Sequence, residues 1–314
     1  MSQPTFRGVL VPALTPFKPD LSPDVEAFAR HCRWLLEQGA DGLAVFGTTS
    51  EANSLSVDER MMLLEHLLDN GIPPSVLMPG TGMSALTDTV QLTAHAVSHG
   101  CAGVLMLPPY YYKGVSDEGL FASYSEIIQR VGETALNIYL YHIPPISQIG
   151  LSLDLIGRLL NDYPEIIVGL KDSSGNWQNT VGILNEYPQL ATFCGSEVFL
   201  LETLRNGGAG SITALGNINV SGIKRIFECW QEEDAQSLQD QVSRVNGCVR
   251  NYGLIPPLKA IATEFYHSPE WNTLRPPLCS LNETDAATLR SELRQLGFSM
   301  AATQSASGDS DRDG

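Results

Sequence analysis

Ile166-Ile-Val-Gly-Leu-Lys-Asp-Ser-Ser174 decides how the rest of the chain is read. Five apolar or small residues follow one another without a polar interruption, as in a strand buried on both faces of a parallel sheet. The run then stops on a lysine, an acid and two serines. Comparable runs are Gly8-Val-Leu-Val-Pro-Ala13, Gly42-Leu-Ala-Val-Phe46, Ser75-Val-Leu-Met78 and Gly103-Val-Leu-Met-Leu107. Further on come Ala135-Leu-Asn-Ile-Tyr-Leu-Tyr141, Leu190-Ala-Thr-Phe193 and Gly210-Ser-Ile-Thr213. They recur about every 30 residues with amphipathic stretches between them, the βα pattern of a parallel sheet. Eight such units closing on themselves predict an α/β fold, a (β/α)8 TIM barrel with a C-terminal helical extension. An open doubly wound sheet is the alternative, but no Gly-x-Gly-x-x-Gly follows the first run to recommend it.

Helix-start chemistry fills the gaps. Ser22-Pro23 offers an N-cap followed by proline at the first helical position. Ser56-Val-Asp-Glu59 reads as a capping box, and Ser116 and Ser152 each precede acids that suit a helix N-terminus. After about residue 220 the strand signal stops. We expect residues 1–220 to form the barrel and residues 221–300 a helical region, including Ala235 to Val249 and Asp285 to Leu296, broken at Pro256-Pro257 and Pro276-Pro277. Residues 301–314, small, polar and acidic, are expected to be disordered.

The chain has 314 residues and a formal net charge of -16, which speaks against nucleic acid or an anionic membrane as partner. No apolar stretch approaches the roughly 18 residues needed to span a bilayer. The N-terminus lacks the basic-then-apolar pattern of a secretory signal, so a cytoplasmic location is expected. Six cysteines are scattered with no Cys-x-x-Cys pair, as expected of reduced, buried thiols.

In a barrel the chemistry gathers where strands end. The runs lead into Gly47-Thr-Thr-Ser-Glu51, Pro108-Pro-Tyr-Tyr-Tyr-Lys113, Tyr141-His-Ile-Pro144, Lys171-Asp-Ser-Ser174, Gly195-Ser-Glu197 and Ile212-Thr-Ala214. Pointing inward, Lys171 would lose hydration, which favours the neutral, nucleophilic amine; it could equally snorkel outward or pair with Asp172. Tyr141 could shuttle protons beside such an amine, or be an aromatic core residue with its hydroxyl at the surface. Gly47-Thr-Thr offers N–H groups and hydroxyls that suit a carboxylate, though any loop approaching a helix looks similar. His95 and His99 are spaced i, i+4 but lie off the rim, and no metal site is expected.

Taken together, Gly-Thr-Thr-x-Glu at 47–51, Pro-Tyr-Tyr at 109–111, Tyr-x-x-Pro at 141–144 and Gly-Leu-Lys-Asp-Ser-Ser at 169–174 resemble the dihydrodipicolinate synthase and N-acetylneuraminate lyase family of pyruvate-dependent class I aldolases. The resemblance runs from about Gly8 to Leu296. It implies that Lys171 forms an imine with pyruvate or another 2-oxo acid, with no separate cofactor. It implies Tyr141 as proton relay, Thr49 linking Tyr141 to a Tyr111 borrowed from a neighbouring subunit, and Thr48 and Thr49 holding the 2-oxo carboxylate. The backbone carbonyl of Ile212 would face the reacting centre, and a homotetramer, a dimer of dimers, is implied.

Three departures bear on the substrate. Ile146 stands where dihydrodipicolinate synthases carry a carboxylate-binding arginine, which argues against that activity. After Gly195 the chain offers Glu197 then Val198 where sialic acid lyases have an acidic pair, and Ala214 replaces their serine. Ser50 replaces the glycine of Gly-Thr-Thr-Gly-Glu. A partner less anionic and less hydroxylated than in the two namesakes is therefore expected. The alternatives are a 2-keto-3-deoxy sugar acid dehydratase or hydratase-aldolase using the same imine, and a non-catalytic 2-oxo acid-binding paralogue.

Overall fold

Apolar runs flanked by helix caps fold locally as the pattern predicts, and a computed structural model describes residues 6–300. The expected tail at 301–314 lies outside the described residues. The strands are β1 (Gly8–Val11), β2 (Gly42–Leu43), β3 (Val104–Met106), β4 (Ile138–His142), β5 (Ile167–Asp172), β6 (Ala191–Cys194) and β7 (Gly210–Ile212). The helices before β5 are α1 (Val25–Glu37), α2 (Val57–Asp69), α3 (Leu86–Ser98), α4 (Asp117–Val131), α5 (Pro144–Ser147) and α6 (Leu153–Asp162). After it come α7 (Trp177–Glu186), α8 (Leu200–Arg205), α9 (Gly216–Cys229), α10 (Ala235–Arg250), α11 (Pro256–Tyr266) and α12 (Glu283–Gln295).

All strand pairs are parallel, in the order β2-β1-β7-β6-β5-β4-β3. Among the described residues seven strands form where eight were expected. The missing one is Ser75–Met78, whose start is a 3₁₀ turn at Pro74–Val76. Pro73 and Pro74 remove two donors and fix the turn's backbone angles, so propensity gives way to proline geometry. The segment beyond still bonds to both edges of the sheet. Met78 N donates to Leu43 O at 2.9 Å and Gly80 N to Val45 O at 2.7 Å, while Leu105 N donates to Pro79 O at 3.0 Å.

Strand alternation sorts the core into two layers. Val9, Val11, Ile138, Leu140, Leu170 and Cys194 face the helices. Leu10, Tyr139, Tyr141, Phe193 and Ile212 face the other way and cluster together. Lys171 falls on this second face, because it pairs in register with Tyr141 on one side and Phe193 on the other. Gly169 lies two residues earlier on that face, and a Cβ there would meet the Tyr139 ring at 2.3 Å. The glycine before the lysine thus makes room for the aromatic floor.

The capping box at Ser56 and the caps at Ser116 and Ser152 form as read. Ser22 does not cap α1. Pro23 is held in a bridge to Phe17, and the carboxylate of Asp24 accepts from Ala27 N instead. The expected boundary at residue 220 falls inside α9, which packs on β1. The helical region breaks before Pro256-Pro257 as expected: α10 ends at Arg250 and the prolines open α11, the place where missing N–H groups cost least. Cys32, Cys101 and Cys194 are buried, whereas Cys279 is exposed, contrary to expectation. No helix among the described residues is long and apolar enough to cross a membrane.

Candidate active site

The loops after β2, β4, β5, β6 and β7 converge on one cavity of about 470 Å³. Thr48, Thr49, Tyr141, Ile146, Lys171, Gly195 and Glu197 all line it. Lys171 is 4% exposed, with Nζ 3.4 Å from Tyr141 Oη and 4.4 Å from the centroid of its ring. Neither snorkelling nor pairing with Asp172 describes it. Asp172, the next residue on the strand, accepts from Ser174 N at 2.8 Å, Asn179 Nδ2 at 3.0 Å and Thr180 Oγ1 at 2.7 Å. Its carboxylate is committed to the start of α7. The lysine is left with a phenol for company.

The hydrogen-bonded line from Lys171 differs from the expected relay by a single residue. Thr48 Oγ1, not Thr49, lies 3.3 Å from Tyr141 Oη, so Thr48 continues the line from Lys171 through Tyr141. Adjacent residues in a tight turn project differently, and the turn here is tight: Ser50 N and Ala52 N both donate to Gly47 O, at 3.1 and 3.2 Å. Ser50 braces it. Its Oγ accepts from Gly47 N at 3.3 Å, and its carbonyl accepts from Thr15 Oγ1 at 2.8 Å. Among the described residues the N–H groups of Thr48 and Thr49 meet no acceptor, although those of Ser50, Glu51 and Ala52 do. Two free N–H groups beside a threonine hydroxyl suit a carboxylate.

The remaining expected residues divide. Gly195 sits where a Cβ would meet Ser173 Oγ at 1.9 Å, so no other residue fits without moving the Lys171 loop. Glu197 is buried, and that burial pushes its carboxyl upward while Thr213 and Arg250 oppose the shift. Its Oε1 has no hydrogen-bond partner among the described residues. Ile146 is 53% exposed at the mouth. The Ile212 side chain is buried in the inner cluster, and it is Ala214 and Leu215, just beyond it, that reach the cavity. Tyr111 is 73% exposed, stacked edge-on with Tyr112, and does not line its own chain's cavity.

Two contributions went unread in the sequence. Lys259 on α11 forms a fully buried ion pair with Glu51, the last residue of the Thr-Thr turn, which holds a left-handed φ of 55°. Lys259 Nζ also donates to Thr273 O at 2.8 Å. Burial brings its amine down to about 8, against the pull of Glu51. A lone lysine inside Pro256-Pro-Leu-Lys-Ala-Ile-Ala262 was the available signal. The second is α10, which lends Asn246, Val249 and Arg250 to the lining; nothing in its sequence announces this. Outside the cavity, Glu65, His95 and His99 bring ligand atoms within 4.8 Å of one another between α2 and α3. There His95 Nε2 lies 2.9 Å from Glu65, and His99 Nδ1 2.9 Å from His95 O.

Residues 5–296 match the Dihydrodipicolinate synthetase family. An uncharacterized DapA-like lyase of Chloroflexus aurantiacus is 34% identical over 94% of this chain and 98% of its own. Among solved structures, dihydrodipicolinate synthase from Agrobacterium tumefaciens superposes with a TM-score of 0.86 at 31% identity, covering 92% of this chain and 99% of its own. YagE, an Escherichia coli K12 prophage protein of the dihydrodipicolinic acid synthase family solved with pyruvate, reaches 0.83 at 24% identity over 94% and 99%, a likeness of fold. Coverage of nearly the whole chain, at an identity above 30%, settles the relationship: this chain belongs to the dihydrodipicolinate synthetase family of lyases and aldolases.

Proposed function

We propose that the chain is a Schiff-base-forming lyase that makes or breaks a C–C bond between pyruvate, or a related 2-oxo acid, and an aldehyde-type partner. One observation carries this reading: Lys171 is buried at the cavity floor with Tyr141 Oη 3.4 Å from its amine and Asp172 tied up elsewhere. In this reading Thr48 and Thr49 hold the 2-oxo carboxylate. Lys171 Nζ adds to the keto carbon, and Tyr141, backed by Thr48, passes the proton that lets the oxygen leave as water. The protonated imine then accepts the electrons of the breaking bond. The hydroxyl of the departing carbon gives its proton to the tyrosine relay and leaves as an aldehyde. Protonation of the enamine and hydrolysis of the imine release pyruvate.

Several finer points belong to the same proposal. Residues 77–81, bonded to both sheet edges, act as the eighth stave of a closed (β/α)8 barrel. The exposed Tyr111 completes the relay of a neighbouring subunit within a homotetramer built as a dimer of dimers. The protein works in the cytoplasm, and the lysine imine serves in place of a separate cofactor. Ile146 at the mouth offers no guanidinium, so a partner clamped at that position, as in dihydrodipicolinate synthase, is not its substrate. The test is release of pyruvate from a panel of 4-hydroxy-2-oxo acids by the purified chain. Release that continues in strong chelator supports the reading, and absence of release across the panel counts against it.

A further inference from the structure

Among the described residues four charged side chains line the cavity: Lys171, Asp172, Glu197 and Arg250. Lys171 faces Tyr141, and Asp172 is held by three donors. That leaves Glu197 and Arg250. Arg250 is the last residue of α10, and Gln239, Val242, Asn246, Val249 and Arg250 fall on one stripe of that helix. Gln239 fixes the helix over the exit of β6, since its Oε1 accepts from Leu201 N at 3.0 Å and its Nε2 donates to Glu197 O at 2.9 Å. Arg250 therefore hangs from a docked helix. No carboxylate among the described residues lies within 4.0 Å of its guanidinium, unlike Arg275, Arg290 or Arg294. Glu197, whose carboxyl feels the Arg250 charge, is buried, and burial pushes it toward its neutral form.

A terminal arginine also suits the helix dipole, but that role is indifferent to which way the stripe faces. Here the stripe faces a cavity much larger than a pyruvate needs, within the usual range for small-molecule sites of roughly 300–1,000 Å³. The helix that carries Arg250 is bonded through Gln239 to Glu197 just beyond β6, three strands along the sheet order from the Thr48–Thr49 turn after β2.

We propose that Arg250, with Asn246 beside it, receives a second carboxylate at the far end of the substrate, which makes the preferred 2-oxo acid or aldol adduct a dianion. This rests on the imine reading of Lys171 above. It also changes what Ile146 means: the anion site has moved from the loop after β4 to α10, and the substrate is not the less anionic one the sequence suggests.

The test is borohydride trapping of the imine on the full chain, read by intact mass against ligand concentration. Matched pairs are used, 2-oxoglutarate against 2-oxopentanoate and 2-oxoadipate against 2-oxohexanoate, with pyruvate alongside. In at least one pair the dianion should reach half-saturation at a concentration about tenfold or more below its neutral-ended partner, as a charge-assisted bond gives. Arg250→Leu should bring that ratio to about one, and Arg250→Lys should restore part of it. Arg244→Leu, on the same helix but away from the cavity, should keep the wild-type ratio. No preference in the wild type, or one that survives Arg250→Leu, overturns the proposal. Pyruvate that forms an imine without such a preference defeats only the dianion claim; pyruvate that forms none defeats the imine reading as well.

Discussion

Lys171 and Lys259 are both buried, 4% and 0% exposed, yet their surroundings give them opposite work. Lys259 is neutralised by Glu51, bonded to Thr273 O and laid 4.5 Å from the centroid of the Phe17 ring. Every direction open to its amine is filled. Lys171 has a phenol, the face of the same ring and an open cavity. Burial lowers the basicity of Lys259 to about 8, yet in the proposed reading it is Lys171 that serves as the nucleophile. That reading rests on a free approach and a proton-exchanging neighbour, which Lys259 lacks.

The comparison breaks or holds on substitutions. Lys171→Met removes the nucleophile and should cost about 10³-fold or more in pyruvate release, with the thermal midpoint little changed. Lys259→Met should do the reverse. It strands the buried Glu51 carboxylate and should lower unfolding free energy by about 3–5 kcal/mol in denaturant titration. Glu51→Leu with Lys259→Met removes both charges and should recover most of that loss. A Lys259→Met protein of full stability and no activity would erase the distinction.

Smaller effects sharpen it. Tyr141→Phe keeps the ring beneath Lys171 but removes the relay, so turnover should fall about 10²-fold or more while the fold is kept. Thr48→Val should lower turnover by about tenfold through loss of its bond to Tyr141. Thr49→Val should act chiefly on the KM for the 2-oxo acid, and equal effects of the two on turnover would contradict the relay. The smallest signal is the pH dependence of Lys259. Its folded pKa of about 8 lies below the ordinary 10.5, so from pH 8 to 10.5 the unfolded chain binds more protons. Its contribution to stability thus rises with pH across that window, while below pH 8 the full cost of burying the charge is present. Glu51, left behind as the amine loses its proton, offsets part of the rise. Comparison of wild-type and Lys259→Met stability at pH 7.5 and 9.5 reads it directly.

The strand ends were the legible part of this chain. Lys171 and Tyr141 each close an apolar run, and parallel register then sets them side by side. What failed did so for local or for distant reasons. The third run looks like its neighbours, but the prolines before it turn Pro74–Val76 into a 3₁₀ turn. Thr48 and Thr49 are indistinguishable by type, and only the turn decides which one meets Tyr141. Lys259 pairs with Glu51 and Arg250 lines the cavity with Thr48, partners about 200 residues earlier in the chain, and no local pattern records that return. Gln239, which docks α10, is just as silent in the sequence.

One measurement bears most directly on the two lysines. The chain is reduced with borohydride in the presence of pyruvate, digested, and the modified lysine located by peptide mass. The expected result is one pyruvyl adduct, on Lys171. An adduct on Lys259 or Lys113, or none at all, would contradict it.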